Sequence, residues 1–257
     1  MRTIHTILTA TFCLTTLALT GCASYATPGR GADLRAIGVT PDMVAGGTDA
    51  GIAKQLTKRP LAALPTGLAV ARLQASGYHS ATAEGYGQGR FSVVTTRDVE
   101  PESAAARLAK MPMVQGVAPI NRLLLPEHLE SDVEIRNAAA QLHADMVLVY
   151  TLDTTFQKND LAEPLTLITL GISPNQKATI VTTASAVIMD TRNGYIYGVC
   201  EATTRASKMI GAWGSGDAID ETRRKTEAAA FEKLIGEIEK TWGGVLKQFD
   251  TAKSSAR

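Results

Sequence analysis

The chain has 257 residues, with 26 basic against 25 acidic side chains, 45% hydrophobic residues and 5% aromatic ones. That length suits one domain with a sizeable core plus a connecting arm. The near balance of charge argues against a strongly basic nucleic-acid surface, so no nucleic-acid partner is expected, and it supplies no field for polybasic binding to a membrane.

Arg2 gives the first residues a positive charge, and an apolar, threonine-rich stretch free of Asp, Glu, Lys and Arg follows from Ile4 to Leu19. It is too short and too polar for a spanning helix, which needs ~20 mostly apolar residues. A short apolar run ending in small residues reads instead as a cleaved signal peptide over residues 1–21. Leu19-Thr20-Gly21-Cys22 resembles the lipobox of bacterial lipoproteins, which implies cleavage between Gly21 and Cys22 and acylation of Cys22 with diacylglycerol and a palmitate-type chain. Each buried CH₂ contributes about 0.8 kcal/mol and one acyl chain binds only marginally, so three hold firmly. Ala23 and Ser24 follow the cysteine, and by resemblance to enterobacterial sorting the absence of an aspartate there favours the outer membrane, facing the periplasm. Cys13 leaves with the signal and Cys22 is alkylated. Cys200 then has no cysteine partner, and it reads as a small buried apolar residue, not a reactive thiol.

Residues 22–60 read as the lipidated cysteine and a flexible tether, with an r.m.s. span of ~35 Å; Ile37, Val39, Met43 and Val44 offer an alternative in which residues 33–45 dock on the domain. A single domain is expected over 61–249 and a disordered tail over 250–257. Gly67–Leu73 reads as a strand, Ser76–Arg90 as a long surface loop rich in Gly and Tyr, and Phe91–Thr96 as a second strand. Glu102–Met111 forms a helix opened by Pro101 and stopped by Pro112. Ser131 and Glu134 fit a capping box for a helix to about His143, with Ile135, Ala138, Ala139 and Leu142 on its apolar stripe. Met146–Tyr150 is a continuous apolar run, typical of a strand covered on both faces. Beyond it Leu152 and Phe156 alternate with Thr151, Asp153 and Thr155, so the strand emerges toward water.

A further strand is expected within Leu165–Ile172. Thr179–Met189 and Tyr195–Thr203 form a hairpin through Asp190–Gly194, where Gly194 supplies a left-handed residue. The last element is a long helix over about 217–249. Phe231, Ile235, Ile238, Trp242, Val245 and Phe249 recur every three or four residues, a seam for lying across a sheet or for pairing with another chain. Gly243-Gly244 weakens it by about 1 kcal/mol per glycine relative to alanine. The fold class is therefore α/β: a mixed sheet with strand–helix units in the first half, an antiparallel hairpin in the second, helices packed on the sheet and a long C-terminal helix.

No G-x-S-x-G elbow, Walker loop or H-E-x-x-H is present, so no catalytic residue, metal site or cofactor is expected. His79, His128 and His143 are scattered, without ligand spacing. Gly85, Gly87 and Gly89 lack the strand and helix that a phosphate cradle needs and read as a flexible surface loop. Arg223-Arg224-Lys225 reads as a solvated helix face, or one that meets an acidic partner, and Asp153 as a solvated edge carboxylate or a site residue. Candidate ligand or partner contacts are Asp153, Tyr86, Arg90, Arg223 and Arg224.

Arg90–Asp98 (RFSVVTTRD), Ala144–Thr155 (ADMVLVYTLDTT) and Thr183–Thr203 with its Asp190–Gly194 turn together resemble the rhombotarget lipoprotein family, linked to rhomboid-type sorting proteases, over most of residues 65–245. The family has no assigned activity, so the resemblance transfers no functional residue. Members with a sorting tail carry a Gly-Gly motif, an apolar span and basic residues; here Asp-Thr-Ala-Lys-Ser-Ser-Ala-Arg follows Phe249, and processing by such a protease is not expected. The strand–helix–hairpin order is also similar, as an analogy of fold, to periplasmic domains of curli-secretion and Tol-system proteins. The expected role is a non-enzymatic envelope protein, anchored to the membrane through lipid on Cys22, that binds or scaffolds a periplasmic protein. The alternatives are an enzyme or small-ligand binder using the 76–90 loop and Asp153, and self-association through the 217–249 helix.

Overall fold

The computed structural model describes residues 30–32, 49–160, 174–211 and 216–255. The first half alternates short strands with helices. It comprises α1 (Asp49–Thr57), β1 (Thr66–Ala75), β2 (Gly85–Tyr86), β3 (Gln88–Gly89), β4 (Phe91–Val94), α2 (Glu102–Ala109), β5 (Val114–Pro119), a 3₁₀ turn at Arg122–Leu124, β6 (His128–Leu129) and α3 (Asp132–Gln141). Three long strands and a helix follow: β7 (Met146–Asp160), β8 (Pro174–Asp190), β9 (Ile196–Gly211) and α4 (Gly216–Ser255).

The main sheet is mixed, in the order β2-β4-β1-β7-β8-β9, with β5 also on β1. β5 runs parallel to β1 along Thr66–Val70, and β4 runs antiparallel along Arg72–Ala75. β1 and β7 pair in parallel only from Leu68 to Ala71, whereas β7, β8 and β9 form a long antiparallel meander. The mixed sheet, antiparallel second half and long C-terminal helix are thus as the sequence predicts. The expected strand within Leu165–Ile172 and the docking alternative for 33–45 lie outside the described residues.

Strand parity divides the core into two layers. Leu68 of β1, Leu148, Tyr150 and Leu152 of β7, and Ala184, Ala186 and Ile188 of β8 face α2 and α4. Ala69, Ala71 and Leu73 of β1 and Val147 and Val149 of β7 pack with Ile135, Ala138 and Ala139 of α3. α3 starts on the predicted capping box: the Ser131 hydroxyl accepts from Val133 N–H at 3.2 Å, and Glu134 accepts from Ser131 N–H at 3.0 Å.

α4 lays its seam on the sheet of its own chain. Phe231, Ile235, Ile238, Trp242 and Val245 are all buried in the α2/α4 layer, with Phe249 against its edge. Trp242 also donates its indole N–H to Pro112 O at 2.8 Å. The helix passes through Gly243 and Gly244 without a break, because burial of Trp242 and Val245 on either side outweighs about 2 kcal/mol of lost propensity. It continues to Ser255, so the stretch expected as a disordered tail from residue 250 is helical to that point.

Two other segments differ from expectation. The stretch read as a tether contains α1, which buries none of its residues. Within it Gly31 also bridges Gln74 of β1, and Ala32 N–H donates to Thr151 Oγ1 at 2.7 Å. The stretch read as the 76–90 surface loop holds β2 and β3, with Tyr78 buried beneath them. Its glycines permit close backbone approach. A Cβ on Gly85 would fall 2.1 Å from Ser92 Oγ, and one on Gly89, at φ +117°, would fall 2.6 Å from Leu129 O.

Candidate functional site

The α2/α4 face of the sheet is apolar where strands run in register and polar where they part. β1 and β7 separate after Ala71, and the Gln74 amide spans the gap: its Nε2 donates to Leu152 O at 3.0 Å, and its Oε1 accepts from Leu152 N–H at 3.0 Å and Thr151 Oγ1 at 2.8 Å. The alternation that places Leu68 and Val70 on this face puts Arg72 there too. On β7 and β8 the same parity leads from Leu152 to Thr154 and from Ala184 to Thr182, whose hydroxyls lie 2.9 Å apart.

The N-terminal part of α4 covers this region. Stepping back from Phe231 by four, four and three residues, along the same face of the helix, reaches Glu227, Arg223 and Asp220, all buried. Arg223, expected on a solvated face, is fully buried (0% exposed). Its Nη1 donates to Glu227 at 2.6 Å, its Nε to Asp220 at 2.9 Å and its Nη2 to Thr82 Oγ1 at 3.1 Å. Thr82 donates to Asp98 through a short hydrogen bond. Glu227 also accepts from Thr154 Oγ1 at 2.8 Å. Arg224, half exposed, pairs with the other oxygen of Asp220 at 3.1 Å. Lys225 is the residue of the triplet that does face solvent.

Arg72 anchors the opposite half. Its Nη1 lies 2.9 Å from Asp98 and 3.2 Å from Glu100, and its Nη2 donates to Tyr78 at 3.2 Å. Tyr150 donates to Glu100 at 2.8 Å. Asp98 joins the halves, since Arg223 Nη2 approaches its second oxygen at 3.8 Å. Three arginines (Arg72, Arg223, Arg224) therefore face four carboxylates (Asp98, Glu100, Asp220, Glu227). Burial opposes the charge on Arg72, yet Glu100, Tyr78, Tyr150 and Asp98 together hold its pKa above the ordinary value. Burial raises the Glu227 carboxyl against the pull of Arg223 and Arg72. It raises the Tyr150 phenol well above its usual range, with Glu100 adding to the effect.

A small cavity of about 70 Å³ adjoins Arg72 between β1, β5, α2 and α4. Val70, Leu108, Val117 and Phe231 form its apolar walls, and Arg72 and Glu100 contribute its polar side. The cavity is neither at the 76–90 loop nor at Asp153.

The remaining candidate contacts are dispersed. Asp153 is exposed on the α3 face of β7, where it accepts from Gly31 N–H at 3.4 Å. Tyr86 is half-buried against the α3 layer and donates to Leu125 O at 3.4 Å. Arg90 is exposed, with its backbone N–H on Leu129 O at 2.9 Å. Of the five candidates the structure brings Arg223 and Arg224 together, through Asp220. Arg72, Asp98, Glu100 and Glu227 were missed. The signal for Glu227 was its place four residues before Phe231 on the same helix face, and the signal for Arg72 was one charge at a core position of an apolar strand. Cys200 is buried, with its thiol 3.1 Å from Thr241 Oγ1, and burial raises its pKa despite that hydrogen bond. Among the described residues no group of three or more His, Cys, Asp or Glu is placed to hold a metal ion, and no helix is long and apolar enough to cross a membrane.

The fold and cluster define a mixed α/β domain with a buried ionic network beside an apolar cavity. No protein-family model matches the chain, and no curated protein matches it. Among solved structures it is similar to the hypothetical protein CT253 from Chlamydia trachomatis, at 13% identity over 67% of this chain and 92% of that one, with a TM-score of 0.24. A likeness that distant carries no argument about fold or activity.

Proposed function

We propose that the chain is an envelope lipoprotein, cleaved between Gly21 and Cys22 and held at the outer membrane by acyl chains on Cys22, whose domain binds or scaffolds a periplasmic partner. The observation that carries this reading is Leu19-Thr20-Gly21-Cys22 after a run without Asp, Glu, Lys or Arg. The resemblance to rhombotarget lipoproteins supports the same placement. The non-enzymatic part of the reading is supported by the state of the ionisable groups. The buried carboxylates of Asp98, Glu100, Asp220 and Glu227 are all engaged by arginines, and the contacts of Glu227 with Thr154 and of Arg223 with Thr82 tie α4 to β7 and to the 76–90 stretch.

Metabolic labelling with a clickable palmitate tests the anchor. The full chain takes up label, and Cys22→Ser does not; equal labelling of both removes the reading. Crosslinking in intact envelopes tests the scaffold role. A discrete partner should be captured in proportion to the chain's abundance, and recovery of bulk lipoproteins alone would count against it.

A further inference from the structure

Residues 30–32 enter the fork where β1 and β7 part. The Arg30 carbonyl accepts from Ala75 N–H at 3.0 Å, and Gly31 bridges Gln74. Gly31 N–H donates to Asp153 at 3.4 Å and Ala32 N–H to Thr151 Oγ1 at 2.7 Å, with Ala32 buried in the α3 layer. The approach is close: a Cβ on Gly31 would fall 3.0 Å from Thr151 Oγ1 and 3.1 Å from Asp153 Cβ. The arm is thus joined to the sheet, and the length of chain before it is short. From Cys22 to Arg30 there are 30 − 22 = 8 residue steps, which span at most ~29 Å at full extension. A link reaching undocked to residue 60 would span roughly 130 Å.

The docked arm marks one end of the sheet. Ser76 follows Ala75 there, and Phe91 is the partner of Ala75 on β4, so Arg90 flanks the same point. Arg30, Ser76 and Arg90 are all exposed. Asp153, the carboxylate at this end, already accepts from Gly31. The β8–β9 turn lies at the opposite end. Ile196 is level with Ala69 through Met189 and Val147, seven residues or ~23 Å along the strand from Ser76. Basic side chains are drawn to an anionic leaflet within a Debye length, about 8 Å, so a short link places the two arginines where that attraction acts.

We propose that the end of the domain formed by Arg30, Ser76 and Arg90 sits on the lipid surface, held there by the docked arm, with both guanidiniums on the phosphates of anionic headgroups. The proposal rests on the acylation of Cys22 in the reading above. It gives the domain one orientation and turns the β8–β9 end toward the periplasm.

The test uses the acylated full chain in vesicles of phosphatidylethanolamine and phosphatidylglycerol with a headgroup-labelled acceptor lipid. A donor dye is placed on Ser76→Cys or on Ile196→Cys; Cys200 is buried. Because the two positions differ by ~23 Å along the sheet, transfer should be at least about twofold more efficient from Ser76. Inserting about ten Gly/Ser residues between Ala26 and Thr27 should erase that difference without moving the melting temperature, and Arg30→Glu/Arg90→Glu should lower transfer from Ser76. Equal transfer from the two positions, or transfer that neither change alters, overturns the membrane contact. The docked arm is checked separately in unacylated Cys22→Ser: hydrogen exchange at the Ala32 and Ala75 amides should be slow there and accelerate in Cys22→Ser/Gly31→Val. Exchange at the rate of an open chain before that second substitution overturns the docking whether or not the anchor holds. A parent chain that takes up no lipid removes the anchor and this contact with it, and leaves the exchange result standing.

Discussion

Replacing Arg223 with methionine isolates the ionic cluster. The substitution keeps an unbranched apolar stem in α4 and removes the guanidinium that engages Glu227, Asp220 and Thr82. Two arginines would then face the four carboxylates. Removing one partner of a buried ion pair costs about 3–5 kcal/mol, because the charge left behind is neither solvated nor paired. At about 2–4 °C per kcal/mol for a domain of this size, the melting temperature should fall by roughly 6–20 °C. A solvated arginine, as the sequence alone suggests, would change stability by no more than about 0.5 kcal/mol. The assay is urea denaturation of the full chain with linear extrapolation, alongside Arg223→Met/Glu227→Met. Deleting both partners restores the parent's excess of one carboxylate, so the double variant should be more stable than the single one. A single-variant loss below about 1 kcal/mol, or strictly additive losses, would refute the assignment of Arg223 and Glu227 as a coupled buried pair.

Other sites give independent checks. Asp190 is fully buried, and its Oδ2 accepts from the N–H groups of Leu61 and Ala62 and from the Tyr197 hydroxyl at 2.7–2.8 Å. Asp190→Asn should cost about 3 kcal/mol or more, at ~1–3 kcal/mol for each donor left unpaired, and hydrogen exchange at Leu61 and Ala62 should accelerate. Gly89 sits at φ +117° against Leu129 O, so Gly89→Ala should cost about 1–3 kcal/mol in strain and unprotect the Arg90 amide. Burial raises Glu227 above 4.5, the ordinary carboxyl value; the native state then binds more protons than the unfolded one. This group's contribution is therefore most favourable at and below pH 4.5 and declines as pH rises through the shifted value. The loss of stability from pH 4.5 to neutrality should be smaller in Glu227→Gln than in the parent.

Elements whose determinants lie close together in sequence are legible without a structure. α3 declares itself through Ser131, Glu134 and the Ile135–Ala138–Ala139 stripe, and the β8–β9 hairpin through Asp190–Gly194. The seam of α4 is equally plain from Phe231 onward, because its residues are apolar. Its polar end was hidden by residue type and by a break in the heptad: Asp220, Arg223, Glu227 and Phe231 are spaced three, four and four apart, and the charged ones read as solvated. β2 and β3 were hidden for another reason. Their partners are Val93–Val94 and His128–Leu129, and Gly85 and Gly89 are explained only by contact with Ser92 and Leu129. The acidic half of the cluster is non-local as well: Arg72 meets Asp98 and Glu100 more than 20 residues on, and Glu100 meets Tyr150 another 50 residues along. Long-range pairing of this kind leaves no periodic trace.

The hidden polar end answers a question that the apolar seam raises. Displaced by one heptad, α4 would place Ile238 where Phe231 lies, Trp242 where Ile235 lies, Val245 where Ile238 lies and Phe249 where Trp242 lies. Four of the six seam positions would still hold a large apolar residue, with alanines falling in the places of Val245 and Phe249, so the apolar seam discriminates between the two placements only through its last two positions. The ionic end adds discrimination, because sliding would part Arg223 from Thr82 and Asp98 and Glu227 from Thr154, and a buried polar group that fixes register has precedent in coiled coils. Stability and placement should therefore separate in Arg223→Met/Glu227→Met. The double variant regains stability relative to Arg223→Met but loses the single setting of the helix. The Trp242 indole N–H, held on Pro112 O in the native placement, reports this directly: one sharp resonance in the parent should become broadened or doubled in the double variant. A single unshifted resonance there would show that the apolar seam and the loops set the register of α4 without help from its charges.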